Sequence, residues 1–448
     1  MNQQSANSAL PLKIGICGLG TVGGGTLQLL DRNATEIARR LGRGLSVTHI
    51  ASRRNTSAIQ SANVRYSQDV MEVARDPQVD VVVETLGGFD PALQLVKSAL
   101  ENGKHVVTAN KALIALHGNE LFKLADQHGV IVAFESAVAG GIPIIKALRE
   151  GLAANSIHWL AGIINGTGNY ILTEMANRQR DFADVLEEAQ NLGYAEADPT
   201  FDVEGIDAAH KLTILASIAF GIPLQFDKTY TEGISKVTTE DLNFAKELGY
   251  VIKHLGIARR TDHGVEMRVH PTLISRKRLI AHVNGVMNAV VVKGNSVGAT
   301  LYYGAGAGAE ATASSVVADI MDIARQSVTV GDVSNFVPPL AFRHLQLDMP
   351  VLSIAEIETA FYLRIAALDR VGVMAKISRV LQDFDINIEA VIQKEPEHHA
   401  AGSVPIVLLT DTIQEQRLDQ AIATIEALPE IEGAVVRIRV EELEGEES

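Results

Sequence analysis

The run GLGTVG stands directly after the short apolar segment KIGIC and directly before a helical pattern, and it constrains this chain more than any other feature. It puts Gly18, Gly20 and Gly23 at the G-x-G-x-x-G positions of a strand-to-helix turn. Glycines at that spacing permit a tight reversal and a close backbone approach, so a pyrophosphate can sit on the helix N-terminus. The whole turn, Gly18, Leu19, Gly20, Thr21, Val22 and Gly23, is therefore expected to bind a cofactor. A lone triplet of this kind is weak evidence, and a plain turn is the competing explanation. Its position favours the cofactor: LSVTHIAS, DVVVETLGG, HVVTA and GVIVAFES continue as strand-like runs, with one helix expected to reach about Leu41 and another to span about Ala112 to His128. Strands alternating with helices imply a parallel, Rossmann-like α/β sheet covered on both faces. After the second strand the sequence reads ASRR, where an acidic residue would hold a ribose 2'-hydroxyl. Arg53 and Arg54 suit a 2'-phosphate instead, which favours NADP with NAD as the alternative; the plainer reading is a solvated turn.

With 448 residues, 47% of them hydrophobic, the chain is too long for one core and apolar enough for several. A formal charge of -15 with no basic stripe speaks against nucleic acid. The only cysteine, Cys17, precludes an intrachain disulfide and fits a reducing, cytoplasmic setting. The first residues lack the charged and apolar regions of a secretory signal, and the longest apolar stretch, Val130 to Leu148, is broken by Glu135, Gly140, Gly141, Pro143 and Lys146, so no membrane span is expected. The expected organisation is a dinucleotide-binding domain at 11–143, completed by a return segment at 305–340. A mixed α+β substrate and dimerisation domain follows at 144–304, then a small domain at 355–441 and an acidic, disordered tail at 442–448. The small domain reads strand, helix, strand, strand, helix, strand, the ferredoxin-like order. Open sheet edges suggest a homodimer or homotetramer.

The segment GYAEADPTFDVEGIDAAHKLTIL gathers Glu196, Asp198, Asp202, Glu204, Asp207 and Lys211. Asp207 and Lys211 are four apart on a helix and share one face. A surface ion pair worth about 0.3–0.5 kcal/mol is the bland explanation. The apolar neighbours Ile206, Leu212, Ile214 and Leu215 favour a buried helix, in which charges seldom lie without purpose. None of the 13 histidines forms a paired zinc-type spacing; His398 and His399 read as a solvated loop.

These segments, together with ETLGG at Glu84 to Gly88, TANKALIA at Thr108 to Ala115, ESAVAGGIPII at Glu135 to Ile145, NGTGNYIL at Asn165 to Leu172 and GAGAGAEATASSVVAD at Gly304 to Asp319, resemble homoserine dehydrogenase, the monofunctional bacterial type with a C-terminal ACT domain. The resemblance implies reversible oxidation of homoserine to aspartate semialdehyde, a step in threonine and methionine biosynthesis. It implies that Lys211 is the proton donor and that Lys111 lies between cofactor and reacting oxygen. It assigns the substrate to Glu196 and Asp207, with Asp202 beside them, and adds Thr85, Lys111 and Gly308 to the cofactor contacts. It further implies a sodium or potassium site at Glu135, Val138, Gly140 and Ile142. A carboxylate with backbone carbonyls suits such an ion better than a transition metal, and helix capping by Glu135 is the alternative.

ALDRVGVMAKISRVLQDFDINIEAVIQK resembles an ACT domain, with Asp369, Gly372 and Asn387 at its ligand-loop positions and Val371 where many relatives carry proline. The implied effector is threonine, acting by feedback. Two other readings stand beside this one. A non-catalytic amino-acid sensor could retain the same folds, and another semialdehyde dehydrogenase could use the same sheet. The latter needs an acylating cysteine beside the nicotinamide, and Cys17 lies at the wrong end of the site.

Overall fold

The computed structural model describes residues 9–53, 63–326, 336–394 and 402–443. Arg54, His398, His399, residues 327–335 of the expected return segment and 444–448 of the tail lie outside the described residues.

The N-terminal unit contains β1 (Ala9–Cys17), α1 (Thr21–Arg32), α2 (Ala34–Leu41), β2 (Arg43–Ala51), β3 (Arg65–Ser67), α3 (Val70–Arg75), β4 (Val81–Glu84), α4 (Ala92–Glu101), β5 (His105–Thr108), α5 (Lys111–His128) and β6 (Val132–Ala133). Its strands lie in the order β3-β2-β1-β4-β5-β6 with every pairing parallel. Strand order reverses between β1 and β4, and the crevice beyond their C-terminal ends is where such sheets bind ligands. Two expectations need correcting. The helix expected to reach Leu41 is broken at Asn33, whose φ of -104 and ψ of 13 end α1 and start α2. The run GVIVAFES supplies only the two residues of β6, because the chain then turns at Glu135, whose carboxylate accepts the backbone N–H groups of Ile145 and Lys146.

The middle unit contains α6 (Ile144–Lys146), β7 (Ile157–Ile163), α7 (Gly166–Arg178), α8 (Phe182–Asn191), α9 (Thr200–Val203), α10 (Ile206–Phe220), β8 (Tyr230–Thr231), α11 (Thr239–Glu247), β9 (Tyr250–Arg260), β10 (Val265–Ser275), β11 (Met287–Gly294), β12 (Gly298–Ala305) and α12 (Ala309–Gln326). Helix α10 is bounded by two left-handed glycines, Gly205 at φ 82 and Gly221 at φ 67, and is buried from Asp207 to Phe220. A helix apolar all round belongs in an interior. Each fully buried Leu or Ile contributes about 1.5–3 kcal/mol, so Leu212, Ile214, Leu215 and Ile218 outweigh the several kcal/mol that burying an ion costs. The same core includes Leu113 and Ile114 of α5, which presses α5 onto α10. Helix α12 returns to the first sheet, where Val316, Ile320 and Ile323 pack with Ile14, Ile16 and Val81.

The C-terminal unit contains β13 (Glu358–Leu368), α13 (Val373–Asp383), β14 (Ile388–Gln393), β15 (Ser403–Thr410), β16 (Ile413–Gln414), α14 (Glu415–Glu426) and β17 (Val436–Glu441), with its main strands ordered β17-β13-β15-β14. Its sheet does not stand alone. β17 pairs in parallel with β10, Thr272 opposite Arg439 and Ile274 opposite Glu441, so the middle and C-terminal sheets form one. Among the described residues no helix is long and apolar enough to cross a membrane.

An ion network locks that seam. Arg268 on β10 is fully buried, 2.5 Å from Glu441 Oε1 and 3.0 Å from Glu266 Oε2, while Arg259 lies 2.9 Å from Glu441 Oε2. Removing one partner of a buried pair strands the other charge. Glu441→Ala is expected to cost about 3 kcal/mol in urea unfolding, the low end of that range because Glu266 still faces Arg268; an unchanged midpoint would show that the seam does not hold the sheets together.

Candidate active site

Gly18, at φ 97, makes the turn after β1, and a Cβ there would lie 2.9 Å from the Thr85 carbonyl oxygen. A Cβ on Gly23 would lie 2.0 Å from the Gly18 oxygen, so α1 can seat on the turn only without one. A Cβ on Gly20 would meet nothing within 4 Å. Two glycines therefore serve packing, and the third leaves open space at the start of α1. Gly20 caps α1 without a side-chain bond, which leaves the first amides of the helix for an anion. A cleft of about 410 Å³ opens there, lined by Gly18, Leu19, Gly20, Arg53, Thr85 and Gly87 among others. Thr21 and Val22 form the first turn of α1 beneath it. Thr85 Oγ1 donates to the carbonyls of Cys17 and Gly18, tying the β4 loop to the glycine turn. Gly308, at φ 114 with open space where a Cβ would stand, precedes α12, and the start of α12 packs on α1: a Cβ on Gly25 would lie 2.7 Å from the Ala309 oxygen.

Glu84 and Asn110, which sequence reasoning passed over, organise the loops beside the cleft. Buried Glu84 accepts from Thr108 Oγ1 at 2.5 Å and from the N–H of Leu86 at 2.7 Å. Asn110 caps α5 through the N–H of Leu113 and donates to the Gly88 carbonyl. Lys111 thus begins α5 directly after a residue tied to Gly88, the neighbour of cleft-lining Gly87.

From there its Nζ reaches Asp207 Oδ1 at 2.8 Å, while Lys211 Nζ lies 2.6 Å from Asp207 Oδ2 and donates to the Ile164 carbonyl at 2.7 Å. Asn165 completes the cluster, its Nδ2 donating to Asp202 Oδ1 at 2.7 Å and Asp207 Oδ2 at 2.9 Å. Asn165, which opens the NGTGNYIL segment but was given no role there, is also the N-cap of α7, since its Oδ1 accepts the Gly168 N–H. Burial lowers the Lys211 pKa, with Asp207 opposing and Lys111 assisting. Lys111 is raised, chiefly by Asp207. Burial resists ionisation of Asp207, but the two lysines outweigh it and hold the acid well below its ordinary range. Asp202 is raised, chiefly by burial. Glu196 is exposed and close enough to add to the negative potential at Lys111. Asp198 and Glu204 bond elsewhere, to Thr200 and Ser235. An ammonium between a carboxylate and a carbonyl, beside a dinucleotide cleft, can exchange a proton with a substrate oxygen.

Glu135 is buried, and burial pushes its pKa to about 7; burial and Glu135 together raise that of Asp319, which accepts the Glu135 N–H. The following loop turns left-handed at Ala139, φ 54, and Gly140, φ 48. It carries Val138, Gly140 and Ile142; the Gly140 carbonyl accepts from Ser315 Oγ and that of Ile142 from the Ile144 N–H. The capping alternative for Glu135 is thus realised in this structure. Among the described residues no group of three or more His, Cys, Asp or Glu is arranged to hold a metal. Cys17 is buried, and burial, with Glu84 adding to it, holds its thiol well above the ordinary range, so it supplies no thiolate. In the C-terminal unit Asp369 donates its N–H to the Gly402 carbonyl, Gly372 caps α13 at φ 89, the Asn387 carbonyl accepts the Asp411 N–H, and Val371 is fully exposed.

A doubly wound sheet with a glycine-rich turn opening on a cleft, docked against a second unit that carries a buried lysine paired with an acid, defines the class of a dinucleotide-dependent dehydrogenase. Comparison with known proteins narrows the class. Residues 143–321 match the homoserine dehydrogenase model, 18–135 the homoserine dehydrogenase NAD-binding domain and 361–430 the ACT domain. The homoserine dehydrogenase of Pseudomonas aeruginosa is 63% identical over 97% of this chain and 99% of its own length. The crystal structure of that from Thiobacillus denitrificans, 56% identical, matches 97% of this chain and all of its own with a TM-score of 0.92. A hyperthermophilic archaeal homoserine dehydrogenase solved with NADPH, 27% identical, covers 75% of this chain and all of its own at 0.60. The chain belongs to the homoserine dehydrogenase family, and it is an oxidoreductase.

The glycine geometry predicts two different failures. Gly23→Ala, forced against the Gly18 oxygen, should lower the thermal midpoint. Gly20→Val should leave the midpoint near wild type and raise the dinucleotide Kd at least 10-fold, read by fluorescence titration; the reverse pattern would refute the division of roles.

Proposed function

We propose that the chain interconverts L-homoserine and L-aspartate 4-semialdehyde with NADP(H) as the preferred dinucleotide, Lys211 moving the proton at the substrate oxygen. The observation that carries this is the buried ammonium of Lys211, held by Asp207 and Ile164, which leaves one of its three N–H donors for a substrate oxygen among the described residues. The nicotinamide, when bound, accepts or returns a hydride at the substrate carbon. In the oxidative direction neutral Lys211 takes the hydroxyl proton; in the reductive direction protonated Lys211 supplies it. Asp207 holds both lysines, and Lys111 places a second positive charge on the cofactor side of the oxygen, favouring the charge that develops there. Asp202 and exposed Glu196 form an acidic wall suited to the substrate ammonium.

Arg53 at the cleft rim supports NADP, since a guanidinium recognises a 2'-phosphate, and so does the relative solved with NADPH. A monovalent cation is the reading for the 135–142 loop, where two buried carboxylate residues, Glu135 and Asp319, lie together, Asp319 accepting the Glu135 N–H. Glu135 and the carbonyls of Val138, Gly140 and Ile142 would hold it, and its chemistry would be structural, fixing the loop against α12. Threonine is the proposed effector of the ACT domain, acting only if it binds two conformational states unequally. Initial rates of homoserine oxidation with NADP+ or NAD+, repeated with potassium, sodium or threonine, test the assignment together; no turnover with either dinucleotide would overturn it.

Lys211→Met should reduce kcat by roughly 10²–10⁴-fold while the dinucleotide Kd holds, and near-normal turnover would remove the role. Because burial lowers the Lys211 pKa, homoserine oxidation should fall as pH drops through that lowered value and semialdehyde reduction should fall as pH rises through it. Profiles of kcat/KM that lack these opposite limbs would count against it. Arg53→Ala should raise KM for NADP+ about 10-fold or more, the size of a charged hydrogen bond, and leave KM for NAD+ nearly unchanged; equal effects on both would refute 2'-phosphate recognition.

A further inference from the structure

The first turn of α7 is where the elements of the site converge. Asn165 holds Asp202 and Asp207, and Thr167 Oγ1 donates to the Tyr194 carbonyl at 2.6 Å, which draws the segment carrying Glu196 alongside. Gly166, between them, faces the loop before β11: a Cβ there would lie 2.7 Å from the Val286 oxygen and 3.6 Å from Asn288 Oδ1. Asn288 is 1% exposed, and its Oδ1 has no hydrogen-bond partner. The amide lies against the glycine-rich loop before α12, so close that a Cβ on Gly306 would fall 2.1 Å from its carbon. The backbone on both sides is glycine, and the side chain is held in place with an acceptor left open.

The sheet register gives the neighbours. β7 pairs Ile163 with Ala289 and Gly162 with Gly256, so continuing both ladders sets Asn288, Ile164 and His254 in one row. Ile164 supplies the carbonyl that holds Lys211. Asn288 is therefore the cross-strand neighbour of the residue whose carbonyl holds the proton-transferring lysine.

We propose that Asn288 is a substrate-contacting, specificity-determining residue whose side-chain carbonyl accepts a hydrogen bond from the ammonium group of the amino-acid substrate. A buried acceptor without a partner is costly, and the substrate removes the cost by bringing the donor. An ammonium carries three N–H groups, so it can serve the acidic wall on one side and Asn288 on the other. A site that builds in such an acceptor discriminates against an analogue lacking the donor. The proposal rests on homoserine being the substrate.

The test is steady-state kinetics on the full-length enzyme. Asn288→Leu should raise KM for homoserine at least 10-fold with kcat changed less than 3-fold and dinucleotide Kd unaltered. Asn288→Asp, which keeps an acceptor, should give a KM well below that of the Leu variant. Competitive inhibition by L-2-aminobutyrate should weaken in Asn288→Leu in step with KM, whereas inhibition by butyrate, which has no ammonium, should not change. If the Leu variant does not fold, Asn288→Ser, too short to reach, takes its place. An unchanged homoserine KM, or equal loss of both inhibitors, overturns the proposal; a wild-type enzyme that fails to oxidise homoserine overturns the functional reading instead.

Discussion

The buried triad in which Asp207 lies between Lys111 and Lys211 is the interaction on which the site depends. Asp207 and Lys211 leave water together while Lys111 closes the cluster from its half-exposed side, and neither buried charge would be tenable alone. Asp207 stays ionised because two ammonium groups face it. Lys211 is kept from leaving by Asp207 and the Ile164 carbonyl. The charges come from two helices, α5 and α10, with the Ile164 carbonyl just past β7 as a further ligand, so the triad exists only when the N-terminal and middle units have docked. The apolar seam between α5 and α10 provides the energy for that docking and holds the charges in register.

The same logic explains the glycines. Gly23 admits the packing of α1 on its turn, Gly25 admits α12, and Gly166 and Gly306 flank Asn288. At the first three a methyl group would strike a backbone carbonyl, and at Gly306 it would strike the Asn288 amide. Gly20 and Gly308 are different, because nothing occupies the space a side chain would take. Missing side chains therefore mark both the closest contacts of the scaffold and the open space at the starts of α1 and α12.

Much of this was readable from residue order. GLGTVG fixed the first turn, the alternation of strands and helices fixed the parallel sheet, and the apolar run around Asp207 and Lys211 marked that helix as buried. Legibility failed where a side chain acts across long sequence distances. Asn165 and Glu84 stood in quoted segments without a role, and Asn288 gave no signal at all. Glu135 was legible as a carboxylate and as a candidate cap, but not as the point where the chain turns and β6 stops after two residues. The break at Asn33 was hidden because the apolar period runs on through it. Nor could spacing reveal that β17 joins β10, since a parallel pairing between residues so far apart leaves no local pattern.

That pairing has a consequence for how the chain comes into being. Residues Val436–Glu441 leave the ribosome long after Val265–Ser275, so until they emerge β10 presents a row of open backbone groups along the flank facing β17. An incomplete chain would carry a bare, largely apolar sheet border of the kind that recruits foreign strands, with Arg268 deprived of one counter-ion. Sealing that border is a task of the final strand, quite apart from anything the C-terminal unit binds.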